Sequence, residues 1–559
     1  MAEATRCRPL NAEGLRVVAS KSAVSTGPQF TVGNKHIGDL LAYTRQIGDL
    51  RAAIALLAWD QNTAMPEGAA EVRGEQLATL SGIIHDRWES QDLGDILSVL
   101  AGPVQKEPFT DADRALVREA TRERIQATRL PRGLVEEMAR VEASSFEAWR
   151  KARATNDFAL FAPWLARTIT LQREVADRLG FKATRYDALL DLYEPGLTTE
   201  RVNTLFAPVR DVSIAVRRRI EASGQTVDSS CVEGAFADEG QLRLSRDILT
   251  RMGYDFARGG LAVSPHPFTT DFGSPYDVRL TVHPNDISMD SSLMAALHEG
   301  GHALYEQGCA PELVRTPIAG GASMGAHESQ SRLWENAIGR SEAFWRGKID
   351  AVRAVFPERF ANVDAATLSR ALNKVQPGLI RIEADEVTYN LHIIIRFEME
   401  QAMVNTTVAV ESLPRMWNER YQSYLGITPP NDSDGILQDV HWTSGFGYFP
   451  TYTLGNLYAA QIYAALHKSF PDFDERLASG DSAFAHDWLR ERMYRWGKTY
   501  LPEELIERVT GERPTPDYFV DYLTRKFEGV YGLPAESEAA PKKAAKATKA
   551  KKPEKPADK

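Results

Sequence analysis

Apolar residues recur at three- and four-residue spacing along most of this chain, the period of helices that bury one face. The first run, Asp39 to Trp59, is followed by the turn Asp60-Gln-Asn-Thr-Ala-Met-Pro66 and a second run from Ala69 to about Arg87. That order predicts a helical hairpin. Further helices are expected at about 111–128, 132–154, 158–180 and 198–222, punctuated by Pro131, Gly180 and Pro195-Gly196. After Gly259-Gly260 the texture changes to short alternating segments with turn residues, which predicts two or three small strands, one at about 277–283. Helical spacing returns at 291–307, then at about 328–353, 366–376, 380–410 and 412–424, and persists to about Tyr531. The expected fold class is mainly α with one small β-sheet.

The pattern fades at both ends, which bounds a helical body at 34–532 between a loose leader (1–33) and an Ala/Lys/Pro tail (533–559) whose composition cannot build a core. No apolar run reaches membrane-spanning length, and the first residues lack the apolar centre of a secretory signal. Arg6, Arg8, Arg16 and Lys21 give the leader a faint organelle-targeting character, which Glu3 and Glu13 oppose. Cys7, Cys231 and Cys309 have no paired spacing and read as reduced thiols, so a cytoplasmic protein is expected. The 559 residues carry a net charge of −10; the tail holds eight lysines against four acids, so the body carries −14. An acidic body argues against nucleic acid as the main ligand and leaves only the tail for such contact.

One stretch carries chemistry. His298-Glu299-Gly300-Gly301-His302 is an H-E-x-x-H pattern on a segment with helical spacing at Met294, Leu297, Gly301, Leu304 and Tyr305. Residues four apart stack on a helix, so His298 and His302 would offer two imidazoles to one zinc ion. Glu299 can then reach a water on that ion without being a ligand, which suits a general base. Asp290, Ser291 and Ser292 are the N-cap candidates. Gly300 and Gly301 each cost about 1 kcal/mol inside a helix, which implies backbone or substrate passing close by. The competing reading is a chance match on a buried amphipathic helix.

A third protein ligand is needed, and Glu306, Glu312, His327, Glu328 and Glu335 are the nearby candidates. A straight helix carries Glu306 about 6 Å past His302. Glu328 is better placed: it follows the Gly-rich loop Ile318 to Ala326 and opens a new helix that can cross the first. His327, Ser329 and Ser331 could orient it. Five of the eleven histidines, His266, His283, His298, His302 and His327, cluster here. The short sheet before the HEXXH helix either pairs its edge with an extended peptide or simply covers the core.

The sequence resembles the carboxypeptidase Taq-type HEXXH metallocarboxypeptidases. The resemblance rests on six blocks in order: His266-Pro-Phe268, Asp277-Val-Arg-Leu-Thr281, His298 to Gln307, His327-Glu-Ser-Gln-Ser331, Ile380-Arg-Ile-Glu-Ala-Asp385 and Gly435 to Trp442. It spans roughly 36–531; Gly300 departs from it, since Met is usual there. The resemblance implies a two-lobed helical fold with a deep central groove, often a homodimer, with His298, His302 and Glu328 as metal ligands and Glu299 as the catalytic glutamate. The expected ion is zinc, with cobalt possible.

The expected reaction releases C-terminal amino acids from peptides, so a cation must hold the terminal carboxylate. Arg381 is the first choice and Arg279 the second; an intrahelical pair of Arg381 with Asp385 is the bland alternative. His266 and Thr281 are candidate contacts to the substrate backbone. Tyr448 and Tyr452 either donate to the developing oxyanion or pack. Asp439, His441 and Trp442 either shape the groove or are buried structure. A zinc endopeptidase is the second enzymatic reading, and a non-catalytic binding protein the reading from another class.

Overall fold

In the computed structural model, which describes residues 27–102, 104 and 109–535, the N-terminal hairpin forms from α1 (Lys35–Thr63) and α2 (Ala70–Glu89). Asn34 caps α1 by accepting from the His36 and Ile37 amides. The helix runs through Asp60 to Thr63, which the sequence suggested was a turn. Asn62 and Thr63 bond back to the carbonyls of Ala58 and Trp59, and the stop is set by Pro66, which disfavours helical backbone at Met65. Cys7, most of the leader and nearly all of the tail lie outside the described residues.

The series continues with α3 (Gln91–Leu100), α4 (Asp111–Arg129), α5 (Arg132–Thr155), α6 (Phe158–Leu179), α7 (Arg185–Asp191), α8 (Thr199–Ser223) and α9 (Asp238–Met252). The helices expected at 111–128, 132–154, 158–180 and 198–222 keep within a residue of those bounds, whereas α1 runs four residues past its expected run at each end; α3, α7 and α9 fill stretches left without an element. Helices α1 to α4 keep their own apolar core around Ile37, Leu40, Trp88, Leu93 and Leu116. The main core runs from Leu134 to Tyr531. A smaller cluster of Ala112, Ala115, Cys309 and Leu313 joins the two.

Three strands follow: β1 (Gly259–Val263), β2 (Thr269–Asp271) and β3 (Val278–Val282). Their order is β1-β3-β2, with β1 parallel and β2 antiparallel to β3. Val278, Leu280 and Val282 on the central strand are fully buried, and the sheet packs on α10 (Met289–Gln307). Ser288 caps α10, accepting from the Asp290 amide. The expected caps lie inside the first turn, where Ser292 instead bonds Gln241 across to α9.

Helix α11 (Met324–Arg332), capped by Ser323, crosses α10. The single helix expected at 328–353 is broken. A π turn spans Leu333–Ile338, closed by the Gly339 amide on the Trp334 carbonyl, and short helices follow at Glu342–Arg346 and Ile349–Val355. The helix expected at 380–410 begins only at Glu386 and ends at Asn405, because Asp385 turns its carboxylate onto the Val387 and Thr388 amides as an N-cap. Arg381 therefore sits outside it, on a single 3-10 turn. Helix Pro450–Ser469 lies along α11, so closely that a Cβ on Gly455 would stand 2.7 Å from the Glu328 Cβ. Among the described residues no helix is long and apolar enough to cross a membrane.

Candidate metal centre and groove

The site is built where α10 meets α11. A Cβ added to Gly301 would lie 2.4 Å from the Gln330 carbonyl oxygen, so only glycine lets these two helix backbones come this close. Gly300 instead faces Leu249 and Met252 of α9. The imidazoles of His298 and His302 stand with ring centroids 5.0 Å apart. Glu328 Oε2 lies 3.6 Å from His298 Nε2 and 3.5 Å from His302 Nε2. Among the described residues this is the one group of three His, Cys or acidic side chains whose ligand atoms converge, all within 4.8 Å of each other. Two imidazole nitrogens and one carboxylate, with one side open, fit a catalytic zinc-type site.

Each of these groups is held from behind. His298 Nδ1 bonds Glu335 Oε2 at 2.9 Å. His302 Nδ1 lies 2.6 Å from His327 Nδ1, and His327 Nε2 bonds Glu306 Oε1 at 2.7 Å. Glu306 thus supports the second imidazole through His327, one step behind the ligand atoms. Ser331 donates to Glu328 Oε2 at 2.9 Å and Arg332 to Oε1 at 2.6 Å. His327 and Ser329 do not touch the Glu328 carboxylate; Ser329 is spent on the Ala326 carbonyl. Glu312 is exposed on a separate 3-10 turn.

The charges follow from these contacts. Burial opposes an ionised Glu328, but Arg332 and the two imidazoles outweigh it and hold its carboxyl well below the usual range. Glu335 is likewise lowered to about 2, burial being overcome by Arg332 and His298. Burial lowers His302 to about 4, which favours the neutral, metal-binding imidazole. Burial works against a charged His298 too, but Glu328 and Glu335 prevail and raise it.

Glu299 is buried beside the ligands. Thr269 of β2 donates to its Oε2 at 2.7 Å and to its backbone carbonyl at 2.9 Å. Burial raises its carboxyl above the usual range, which makes it a better proton acceptor. A cavity of about 440 Å3 opens over the ligands, lined by His302, Glu328, Thr269 and Asp271, by the Gly-rich loop, and by Tyr448 and Tyr452 on the far wall. Tyr448 packs edge-on against Tyr193 at 5.2 Å and Tyr452 at 5.3 Å, and burial lifts its phenol to about 12, so it stays a donor at neutral pH.

The remaining candidates stand elsewhere. Arg381 is buried and gives Nε and Nη2 to Asp439 Oδ1 at 3.0 and 2.8 Å, with Tyr452 stacked 5.2 Å away. Asp439 is its partner, and Asp385 is not; the alternative of an intrahelical pair fails because Asp385 caps the next helix. Asp439 also holds the fully buried Arg396 through Oδ2. Arg279 makes a two-pronged pair with Asp277, both bonds at 2.8 Å, and lies over Phe272. His266 is exposed on the loop between β1 and β2. Thr281 is fully buried, bonded to Ser264 and to the Phe268 amide, so it supports the His266-Pro-Phe268 loop and has no surface for substrate. Trp442 is buried on Glu400. Arg381, Arg279 and His266 do not line the cavity over the ligands. Sequence reasoning passed over Thr269, which no spacing rule reaches, and Arg332, which the four-residue step from Glu328 could have flagged.

Residues 39–527 match the family described as carboxypeptidase Taq (M32) metallopeptidase. The chain is 39% identical over 505 residues to thermostable carboxypeptidase 1 of Thermus thermophilus, covering 88% of this chain and 98% of that one. It is 37% identical over 500 residues to carboxypeptidase 1 of Bacillus subtilis, covering 89% and 99%. The crystal structure of an M32 carboxypeptidase from Deinococcus radiodurans superposes with a TM-score of 0.86 at 38% identity, covering 89% of this chain and all of that one. On these grounds the chain belongs to the carboxypeptidase Taq (M32) metallopeptidase family.

Proposed function

We propose that this protein removes C-terminal amino acids from peptides, with a divalent ion at His298, His302 and Glu328 and with Glu299 as general base. Family membership makes it a peptide-bond hydrolase of the metallocarboxypeptidase class. The observation that carries the residue assignment is the convergence of the three ligand atoms beside a buried, Thr269-bonded Glu299. Zinc is the proposed ion, and cobalt suits the same donors. Such an ion supplies a Lewis acid for the scissile carbonyl and a water acidified toward pKa ~7.

The rest is the work of the chain. Glu299 takes the proton of the attacking water and returns it to the leaving amine. Thr269 holds Oε2 of that carboxylate still, so Oε1 would be the atom that takes the proton. Glu335 and the Glu306–His327 pair fix the two imidazoles in orientation. Tyr448 and Tyr452, protonated at neutral pH and facing the cavity, are positioned to donate to the developing oxyanion. Arg381 is proposed to receive the terminal carboxylate with the donors Asp439 leaves free, and Arg279 is the second candidate. A homodimer is proposed from the resemblance, a cytoplasmic location from cysteines without paired spacing, and a catalytic domain at 34–532 from the extent of the helical pattern.

The test pairs a free-acid peptide with its C-terminal amide and follows release by mass spectrometry, for wild type and Glu299→Gln. Stepwise release from the acid only, abolished in the variant at full metal content, is the expected result. Cleavage of the amide at internal bonds would make the protein an endopeptidase, and metal loss in Glu299→Gln would remove Glu299 from the role of base.

A further inference from the structure

The cavity over the metal ligands does not end there. A second cavity of about 570 Å3 lies beside it, the two sharing Arg122 and Leu192 in their walls, an adjacency that offers a path from one to the other. This second cavity runs between α4 and α7 and opens to solvent beside Phe181 and Lys182, both exposed. Its walls are cationic in a protein whose net charge is −10. Arg118, Arg122, Arg129 and Lys182 line it, against Asp187 and Asp191.

Pairing shows which charges remain. Arg118 is taken by Glu119, and Arg122 by the Asp191 carboxylate and carbonyl. Asp187 is buried and wholly engaged in capping, accepting from Ala183, Thr184 and Thr199. Among the described residues Arg129 bonds only the Leu179 carbonyl. Lys182 forms no ion pair among the described residues. At the junction stands Lys498, whose carbonyl accepts from Arg118 while its side chain faces the first cavity. Asp271 and Glu306 feel its charge, yet neither pairs with it. Arg129 and Lys182 thus lie along the path without a carboxylate of their own among the described residues, and Lys498 shares its wall with Glu119, Asp271 and Glu306 without a hydrogen bond to any of them.

We propose that the upstream part of the peptide leaves the metal centre along this path, and that the enzyme therefore favours substrates with acidic side chains several residues before the cleaved bond. The inference rests on the carboxypeptidase reading above. An exopeptidase keeps one residue on the leaving side, and everything upstream needs an open way out. Lys498 meets the chain first, and Arg129 and Lys182 further along. An acidic upstream segment would supply the missing carboxylates. Each exposed pair contributes modestly, so the preference is a matter of several-fold and weakens with salt.

The experiment compares peptides with the same last two residues and one Glu or Gln moved stepwise upstream. At low ionic strength wild type should show a Glu/Gln ratio in kcat/KM of about threefold to tenfold at the favoured positions, shrinking as salt is added. Lys182→Glu, on the exposed rim, should bring the ratio to one or below at the distal position, and Lys498→Gln should do so at the nearer one. A wild-type ratio near one, or a ratio that survives both substitutions, overturns the proposal. Release from neither peptide would instead sink the carboxypeptidase reading itself.

Discussion

Replacing Gly301 by Ala should weaken metal binding while costing the fold little. The added Cβ would sit 2.4 Å from the Gln330 carbonyl oxygen and 2.8 Å from the Ser331 Cα, both backbone atoms of α11. A carbon–oxygen contact needs roughly 3.3 Å, so α10 and α11 must separate by about 1 Å. Overpacking of this kind costs roughly 1–3 kcal/mol, and the better helix propensity of Ala returns about 1 kcal/mol. The net loss of stability in the metal-free protein is therefore about 0–2 kcal/mol. The centre tolerates far less: its donors come from both helices, and ligand distances hold to about 0.2 Å. We expect metal affinity to fall roughly 10- to 100-fold or more, the range seen when ligands lose their orientation. Gly300→Ala is the control, because its Cβ meets only the ends of Leu249 and Met252, which can swing aside. Chelator competition measures the affinity, and thermal unfolding of the metal-free forms measures the fold. Wild-type affinity in Gly301→Ala would refute the claim that the α10–α11 approach sets the site.

Glu328→Ala should lose the ion under mild chelation, whereas Glu306→Ala, one step behind through His327, should keep it with affinity weakened at most about tenfold; metal analysis of the two variants decides. Arg381→Ala should lower kcat/KM on free-acid peptides roughly 30- to 1000-fold, equivalent to about 2–4 kcal/mol, and erase the preference for acids over amides; an unchanged acid/amide ratio would make Arg381 only a partner of Asp439. Lys348 is 2% exposed and its ammonium has no hydrogen-bond acceptor among the described residues, so burial lowers its pKa from 10.5 to about 8. The folded state therefore pays for the charge below pH ~8, a penalty of about 3 kcal/mol that fades between pH 8 and 10.5. Lys348→Met should raise the melting temperature at pH 7 and flatten its rise between pH 8 and 10; a lower melting temperature at pH 7 would refute it.

The parts of the site that were legible in the sequence are those set by local spacing. His298 and His302 stack because they are four apart on one helix, and the helix-rise argument turned attention from Glu306 to Glu328. What stayed hidden depends on distant segments. Nothing near Arg381 announces Asp439, which reaches it from 58 residues away. Thr269 meets Glu299 only because the sheet folds against α10. The two glycines of the HEXXH segment called for close neighbours, but not which: one faces backbone of α11 and the other side chains of α9. The helices expected at 328–353 and 380–410 overran because apolar spacing does not register a π turn or a side chain turned onto its own backbone.

The π turn at Leu333–Ile338 makes this stretch intolerant of one more inserted residue. Arg340 lies five residues after Glu335, a step that a regular helix would carry about 140° around its axis, to a different face. Closing the turn on the fifth residue absorbs the extra one, and Arg340 Nη2 comes within 3.5 Å of Glu335 Oε1, the carboxylate that steadies His298. Deleting one residue between Glu335 and Gly339 would restore regular winding and leave Arg340 four residues after Glu335, still on its face, whereas inserting one would put it six after, about 240° around the axis, and swing it away. Alignments that score substitutions alone would rate such a chain as sound. A one-residue insertion here, and not a one-residue gap, is thus the change that would part Arg340 from Glu335.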